Sequence, residues 1–223
     1  MKLFWITVPA SLALAGGGML LIMRSRMAFS NAPAAPNVDA APRHPVTADM
    51  IAKSEALSRK PAPEFTLKDL YGKEWTRTEA QRAKPTLIYF IMDGCPCSTD
   101  AEPMFQALWK HHAGDITFVG VINKEGADAK KWHDNHDMPY LMLLSPDHKA
   151  MDAFGAREST YSTLVDPDGR IIKQWPGWSK RILTEMNEEM AKATGKPVRP
   201  FDTAYAPVAD SSGCVFGTKP GTY

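Results

Sequence analysis

Thr86-Leu87-Ile88-Tyr89-Phe90-Ile91-Met92-Asp93-Gly94-Cys95-Pro96-Cys97-Ser98 is an apolar run that ends in a glycine turn and delivers two cysteines to a helix-like stretch, Thr99 to His112. A short run of β-branched and other apolar residues with no polar alternation predicts a strand covered on both faces. A thiol at the following helix start meets the positive end of the helix dipole and its unpaired N–H groups. Both favour the thiolate and lower its pKa. Two of the three cysteines of the chain fall in this turn. The pair therefore points to redox or metal chemistry rather than to packing alone.

Outward from this stretch the sequence alternates between strand and helix patterns, which predicts an α/β layered domain. Ile116 to Ile122 is a second apolar strand, Asp128 to His136 a helix, Tyr140 to Leu144 a strand and His148 to Phe154 a short helix. Ser162 to Asp166 and Arg170 to Gln174 flank Pro167-Asp168-Gly169, where proline presets the first turn position and glycine takes the tight end. Ser179 to Thr194 closes the domain as an amphipathic helix. Pro103 lies within the helix after the cysteines, where a proline costs about 3 kcal/mol and so implies a local purpose.

Three motifs together carry a family resemblance: the cysteine turn with Pro103, the opening Pro63-Glu64-Phe65-Thr66-Leu67-Lys68-Asp69-Leu70-Tyr71-Gly72-Lys73-Glu74-Trp75, and Leu164-Val165-Asp166-Pro167-Asp168-Gly169-Arg170-Ile171-Ile172. From Pro61 to about Gly195 the chain resembles the redoxin (alkyl hydroperoxide reductase/thiol-specific antioxidant) branch of the thioredoxin-like superfamily, including its membrane-anchored thiol–disulfide oxidoreductases. The resemblance implies a thioredoxin-like fold, a central mixed β-sheet flanked by helices. With Pro103 aligned, Cys95 takes the place of the attacking cysteine, Ser98 falls where the resolving cysteine stands, and Cys97 is one position early. Thr160 occupies the place of the family's cis-proline, which shapes the substrate-binding backbone and keeps metals from the thiolates. The hydroxyl that the peroxidase branch carries three residues before its cysteine is missing, because Met92 stands there. Arg157 is the one candidate for that branch's arginine, and a solvated loop charge is its plainer reading.

The expected activity is thiol–disulfide exchange, with Cys95 attacking, Cys97 resolving, and Pro96, Ser98 and Thr160 supporting the site. A disulfide between residues two apart closes a small ring, so its potential is expected to be comparatively oxidising. Cys214, in Ser211-Ser212-Gly213-Cys214-Val215-Phe216-Gly217, is either a half-buried packing residue or a second resolving thiol that folds back over the site. Alternatives are a thiol peroxidase, a Cu(I)-binding metallochaperone and a non-catalytic binding domain. Cys-x-Cys and twelve methionines are soft ligands that suit Cu(I). His133, His136 and His148 read as surface residues, and no zinc-ligand spacing is present, so neither a metal centre nor a cofactor is expected. His111 and His112 lie about 22 Å down the helix from the cysteines, too far to join them. Asp93 reads as a turn aspartate rather than a proton relay.

The 223 residues, 44% hydrophobic and 23% charged, suit one globular domain with appendages, and the net charge of +1 gives no footprint for nucleic acid. Residues 1–26 form an anchor or signal segment. Leu3 to Met23 is apolar apart from Thr7 and Ser11, long enough to span about 30 Å of hydrocarbon, and an uncleaved membrane anchor is the favoured reading. Residues 27–60 are an Ala/Pro-rich linker with a short helix over 47–58 capped by Thr47, residues 61–195 the redoxin domain, and residues 196–223 a proline-rich extension. The resemblance implies an extracytoplasmic (periplasmic) domain whose partners are protein thiols or disulfides and a redox donor or acceptor.

Overall fold

Seven strands form one mixed sheet in the order β2-β1-β5-β4-β3-β6-β7. The computed structural model describes residues 41–81 and 83–218, so the anchor expected at Leu3–Met23 lies outside the described residues. In chain order the elements are α1 (Ala48–Glu55), β1 (Thr66–Asp69), β2 (Glu74–Thr76), α2 (Arg77–Gln81), β3 (Thr86–Ile91), α3 (Pro96–His111) and β4 (Thr117–Ile122). They continue with α4 (Gly126–Asn135), β5 (Leu141–Leu144), α5 (Lys149–Ala153), β6 (Ser162–Val165), β7 (Ile171–Trp175) and α6 (Lys180–Ala193). Among the described residues no helix is long and apolar enough to cross a membrane.

β3 lies between parallel β4 and antiparallel β6, and every residue along it is buried. Its side chains alternate between two cores, as strand geometry requires. Leu87, Tyr89 and Ile91 face the core made with α3 and α6, through Phe105, Leu108, Leu183 and Met186. Ile88 and Phe90 face the opposite core, with Met151, Phe154 and Tyr161. Each such side chain contributes about 1.5–3 kcal/mol on burial, so the strand leading to the cysteines is firmly fixed on both faces. Met92, one step beyond, joins neither core and packs with Cys95, Cys97 and Cys214.

Element boundaries shift from the sequence expectation by a residue or two, except at α1, which stops at Glu55, three residues short of Ser58, and at α3. That helix begins at Pro96, not Thr99, because proline carries no N–H and has a preset φ, both suited to the first helical position. α2 was not anticipated; its five residues carry no apolar period, and Arg77 and Gln81 are buried through polar contacts.

Candidate active site

Cys95 is the N-cap of α3, with extended backbone (φ −85°, ψ 118°), so its side chain stands at the helix mouth rather than on its flank. Its backbone N–H donates to Met92 O (3.2 Å), and its own carbonyl accepts from Thr99 N–H (3.2 Å). The sulfur is buried. It accepts hydrogen bonds from the Cys214 backbone N–H at 3.2 Å and the Ser159 hydroxyl at 3.4 Å. The thiol of Cys97 is the strongest influence on it: donation from that thiol lowers the Cys95 pKa, burial opposes, and Cys214 and Ser159 lower it further, to about 4. The same contact, with burial, pushes Cys97 far above an ordinary thiol. The two shifts are opposite in direction, favouring the thiolate at Cys95 and the thiol at Cys97. All three cysteines are buried.

Ser98 is fully buried, and its hydroxyl accepts from Met92 N–H (3.2 Å), tying the end of β3 to the first turn of α3. Thr160 faces this turn from the loop before β6. It contains no cis bond; instead it sits at φ 66°, a region that a β-branched residue enters only under constraint. Its N–H donates to Phe90 O (2.9 Å), and Phe90 N–H in turn donates to Tyr161 O (2.9 Å). A proline there would lose the first of these bonds and require a φ of about −65°, so the loop solves the same positioning problem differently. The result is that Ser159, one residue earlier, aims its hydroxyl at Cys95.

Residues 59–175, more than half of the chain, match the AhpC/TSA family. The chain belongs to that family. Peroxiredoxin Bcp of Bacillus subtilis is 28% identical over 130 residues, 51% of this chain and 81% of the relative. Among solved structures, an uncharacterized conserved protein from Geobacillus kaustophilus superposes with TM-score 0.59 at 18% identity, covering 74% of this chain and 94% of its own. A thiol-disulfide oxidoreductase from Bacteroides fragilis superposes with TM-score 0.53 at 17% identity, covering 59% and 99%. These structural likenesses establish a thioredoxin-like fold, and the family establishes a redoxin-type oxidoreductase.

One group in this AhpC/TSA chain escaped the sequence reading. Glu102 is fully buried on α3; Tyr140 donates to its Oε1 at 2.7 Å and Gln106 at 3.3 Å, while its Oε2 has no partner. Burial pushes its pKa up to about 8, against the pull of those two donors, so it is protonated at neutral pH. The buried Tyr89 hydroxyl, also without a partner, lies in the electrostatic reach of Glu102, Cys95 and Cys97 alike. Neither the Glu102 Oε2 nor the Tyr89 hydroxyl is hydrogen-bonded toward the thiols, so Glu102 is a buried neutral acid behind the pair without a proton path to it. The signal in the sequence was an acidic residue one turn into an otherwise apolar helix face, next to Pro103.

The other candidates take plainer roles. Arg157 is exposed. Asp93 lies 3.9 Å from Lys124, and its backbone N–H donates to Asn123. His133 and His136 bond to Asp134 and to Trp132 O, His112 to Asn187, and the His148 ring rests beside Phe216. Among the described residues no group of three or more His, Cys, Asp or Glu side chains is arranged to hold a metal ion.

Proposed function

We propose that this protein is a dithiol oxidant or isomerase working by thiol–disulfide exchange through Cys95 and Cys97. The observation that carries the reading is the Cys95 sulfur at the mouth of α3, which accepts hydrogen bonds from the Cys214 N–H and the Ser159 hydroxyl and packs against Cys97. A stabilised Cys95 thiolate favours the reduced form, which makes the disulfide form oxidising. In the oxidised protein a partner thiolate attacks Sγ of Cys95, the Cys97 sulfur leaves and takes a proton, and a mixed disulfide results. A second partner thiolate then attacks the partner sulfur of that bond, and Cys95 leaves as thiolate. Two electrons pass from the partner's dithiol to the pair, and an electron-accepting disulfide protein resets it.

A thiol peroxidase is the second reading, favoured by the peroxiredoxin relative. Against it stand Met92 in place of the activating hydroxyl and the exposed Arg157. Stopped-flow oxidation of the reduced protein separates the two: exchange with a small disulfide should outpace reaction with hydrogen peroxide at equal concentration, and the reverse order refutes the proposal. The reading includes a tether through the apolar run at 3–23 and an extracytoplasmic domain. Digestion of the domain by a protease added to outer-membrane-permeabilised cells tests it, and digestion seen only after full lysis contradicts it.

A further inference from the structure

Exchange requires a second sulfur to approach Cys95, yet the Cys95 sulfur has no exposure. Two groups around it are framework: Cys97 belongs to α3 and Ser159 to the loop that Thr160 fixes. The third is the extended segment 210–216, which lies outside the residues that match the family. It crosses the site through isolated backbone bridges at Ser211 and Val215. Ser211 pairs with Trp178 in both directions (2.8 and 3.0 Å), and Ser212 N–H donates to His44 O (2.7 Å). Ser159 N–H donates to Cys214 O (3.0 Å), Phe216 N–H donates to Arg157 O (3.0 Å), and Val215 pairs antiparallel with Glu158. In that register Cys214 directs its backbone N–H at the Cys95 sulfur and brings its own thiol into hydrogen-bond reach of it. A strand laid along an exposed edge, with main-chain bonds for affinity and side-chain fit for selectivity, is how extended peptides are bound.

Gly213 supplies the selectivity. A Cβ at that position would lie 2.0 Å from Ser159 Oγ and 2.8 Å from the Ser159 backbone oxygen. Its φ lies outside the left-handed region, so the demand is for space and not for an unusual conformation. Any chain docking in this register needs glycine immediately before its cysteine.

We propose that segment 213–216 is a resident stand-in for the protein's partner, and that the partner is an extended chain segment carrying Gly-Cys that takes its place along Glu158–Thr160. This rests on the exchange reading, and its chemistry is the step written above with the partner's sulfur where Cys214 now lies. Asp210 is pinned by Ser179 (2.6 Å) and Arg181 at the start of α6, so the segment lifts beyond that anchor to admit the partner.

The test uses the full chain, its Gly213→Ala and Cys214→Ser variants, and two pentapeptides, Ser-Gly-Cys-Val-Phe and Ser-Ala-Cys-Val-Phe, each activated as a thionitrobenzoate disulfide. Gly213→Ala should raise Cys95 alkylation by iodoacetamide, read by peptide mass spectrometry, about tenfold or more, because the cover opens more often. Cys214→Ser should stay slow, since its backbone still covers the sulfur. The Gly-Cys peptide should react with Cys95 of the Gly213→Ala chain about tenfold or more faster than the Ala-Cys peptide. In the Cys97→Ser/Cys214→Ser chain, where no second thiol releases the peptide, hydrogen exchange at the backbone amides of residues 214 and 216 should speed up once the Gly-Cys peptide is bonded to Cys95. Equal alkylation in wild type and Gly213→Ala, equal peptide rates, or unchanged amide protection overturns the proposal. Cys95 inert in every chain toward iodoacetamide and both peptides overturns the exchange reading itself.

Discussion

Replacing Cys97 by alanine removes the donor that holds Cys95 lowest. A hydrogen bond to a charged group contributes about 1.5–3 kcal/mol, and one pKa unit corresponds to about 1.4 kcal/mol. The Cys95 midpoint, about 4 in the intact site, should therefore rise by about one to two units. It should stay below an ordinary thiol, because the Cys214 N–H at 3.2 Å and the Ser159 hydroxyl at 3.4 Å still donate. The assay is the pH dependence of Cys95 alkylation by iodoacetamide, followed on its own peptide so that Cys214 does not contribute. The covering segment slows the absolute rate but leaves the midpoint readable as a ratio of rates. A variant midpoint equal to wild type refutes the hydrogen-bond argument. A wild-type midpoint near the ordinary thiol value of about 8.5 refutes the thiolate altogether. Because the folded pKa lies below the unfolded one, Cys95 stabilises the reduced fold fully above the unfolded value. That contribution declines as pH falls and is gone below about 4.

Ser159→Ala should raise the same midpoint by less than Cys97→Ala, since its bond is one long contact among several; an equal or larger shift contradicts the assigned order of donors. Glu102→Gln should gain on wild type in urea stability as pH rises from about 4.5 to 8, by up to about 1.4 kcal/mol per unit. The sign follows from a carboxyl raised by burial, which stabilises the fold below its unfolded pKa and loses that contribution as it is forced to ionise; a pH-independent difference contradicts the buried neutral acid. Thr160→Pro should lose about 3 kcal/mol or more in urea unfolding, because it deletes the N–H that bonds Phe90 O and opposes φ 66°; an unchanged midpoint shows that the loop does not need that geometry.

The strand and helix around the cysteines were legible because one stretch holds an unbroken apolar run and a glycine turn ahead of a helix-like pattern, although the start at Pro96 rather than Thr99 was not read. The same logic placed β4 and the hairpin at Pro167-Asp168-Gly169. The site was only half legible. Cys95 and Cys97 announce themselves by spacing, but Ser159 and Glu102 act through tertiary contacts that no local pattern encodes. A buried glutamate in a helix reads as a surface residue until its partners, Tyr140 and Gln106, are in place. Cys214 was visible as a small apolar island in a polar segment, but its register against Glu158 depends on backbone pairing across more than fifty residues of chain.

The central claim is that Cys95 is the sulfur that exchanges with a partner. The direct measurement is mixed-disulfide trapping with the Cys97→Ser/Cys214→Ser chain, which has no second thiol to release a captured partner. Incubated with a protein disulfide and analysed by non-reducing peptide mass spectrometry, this chain should accumulate a covalent adduct at Cys95, and adding Cys95→Ser should abolish it. Absence of any adduct at Cys95, with the chain folded and the thiol reduced, contradicts the account.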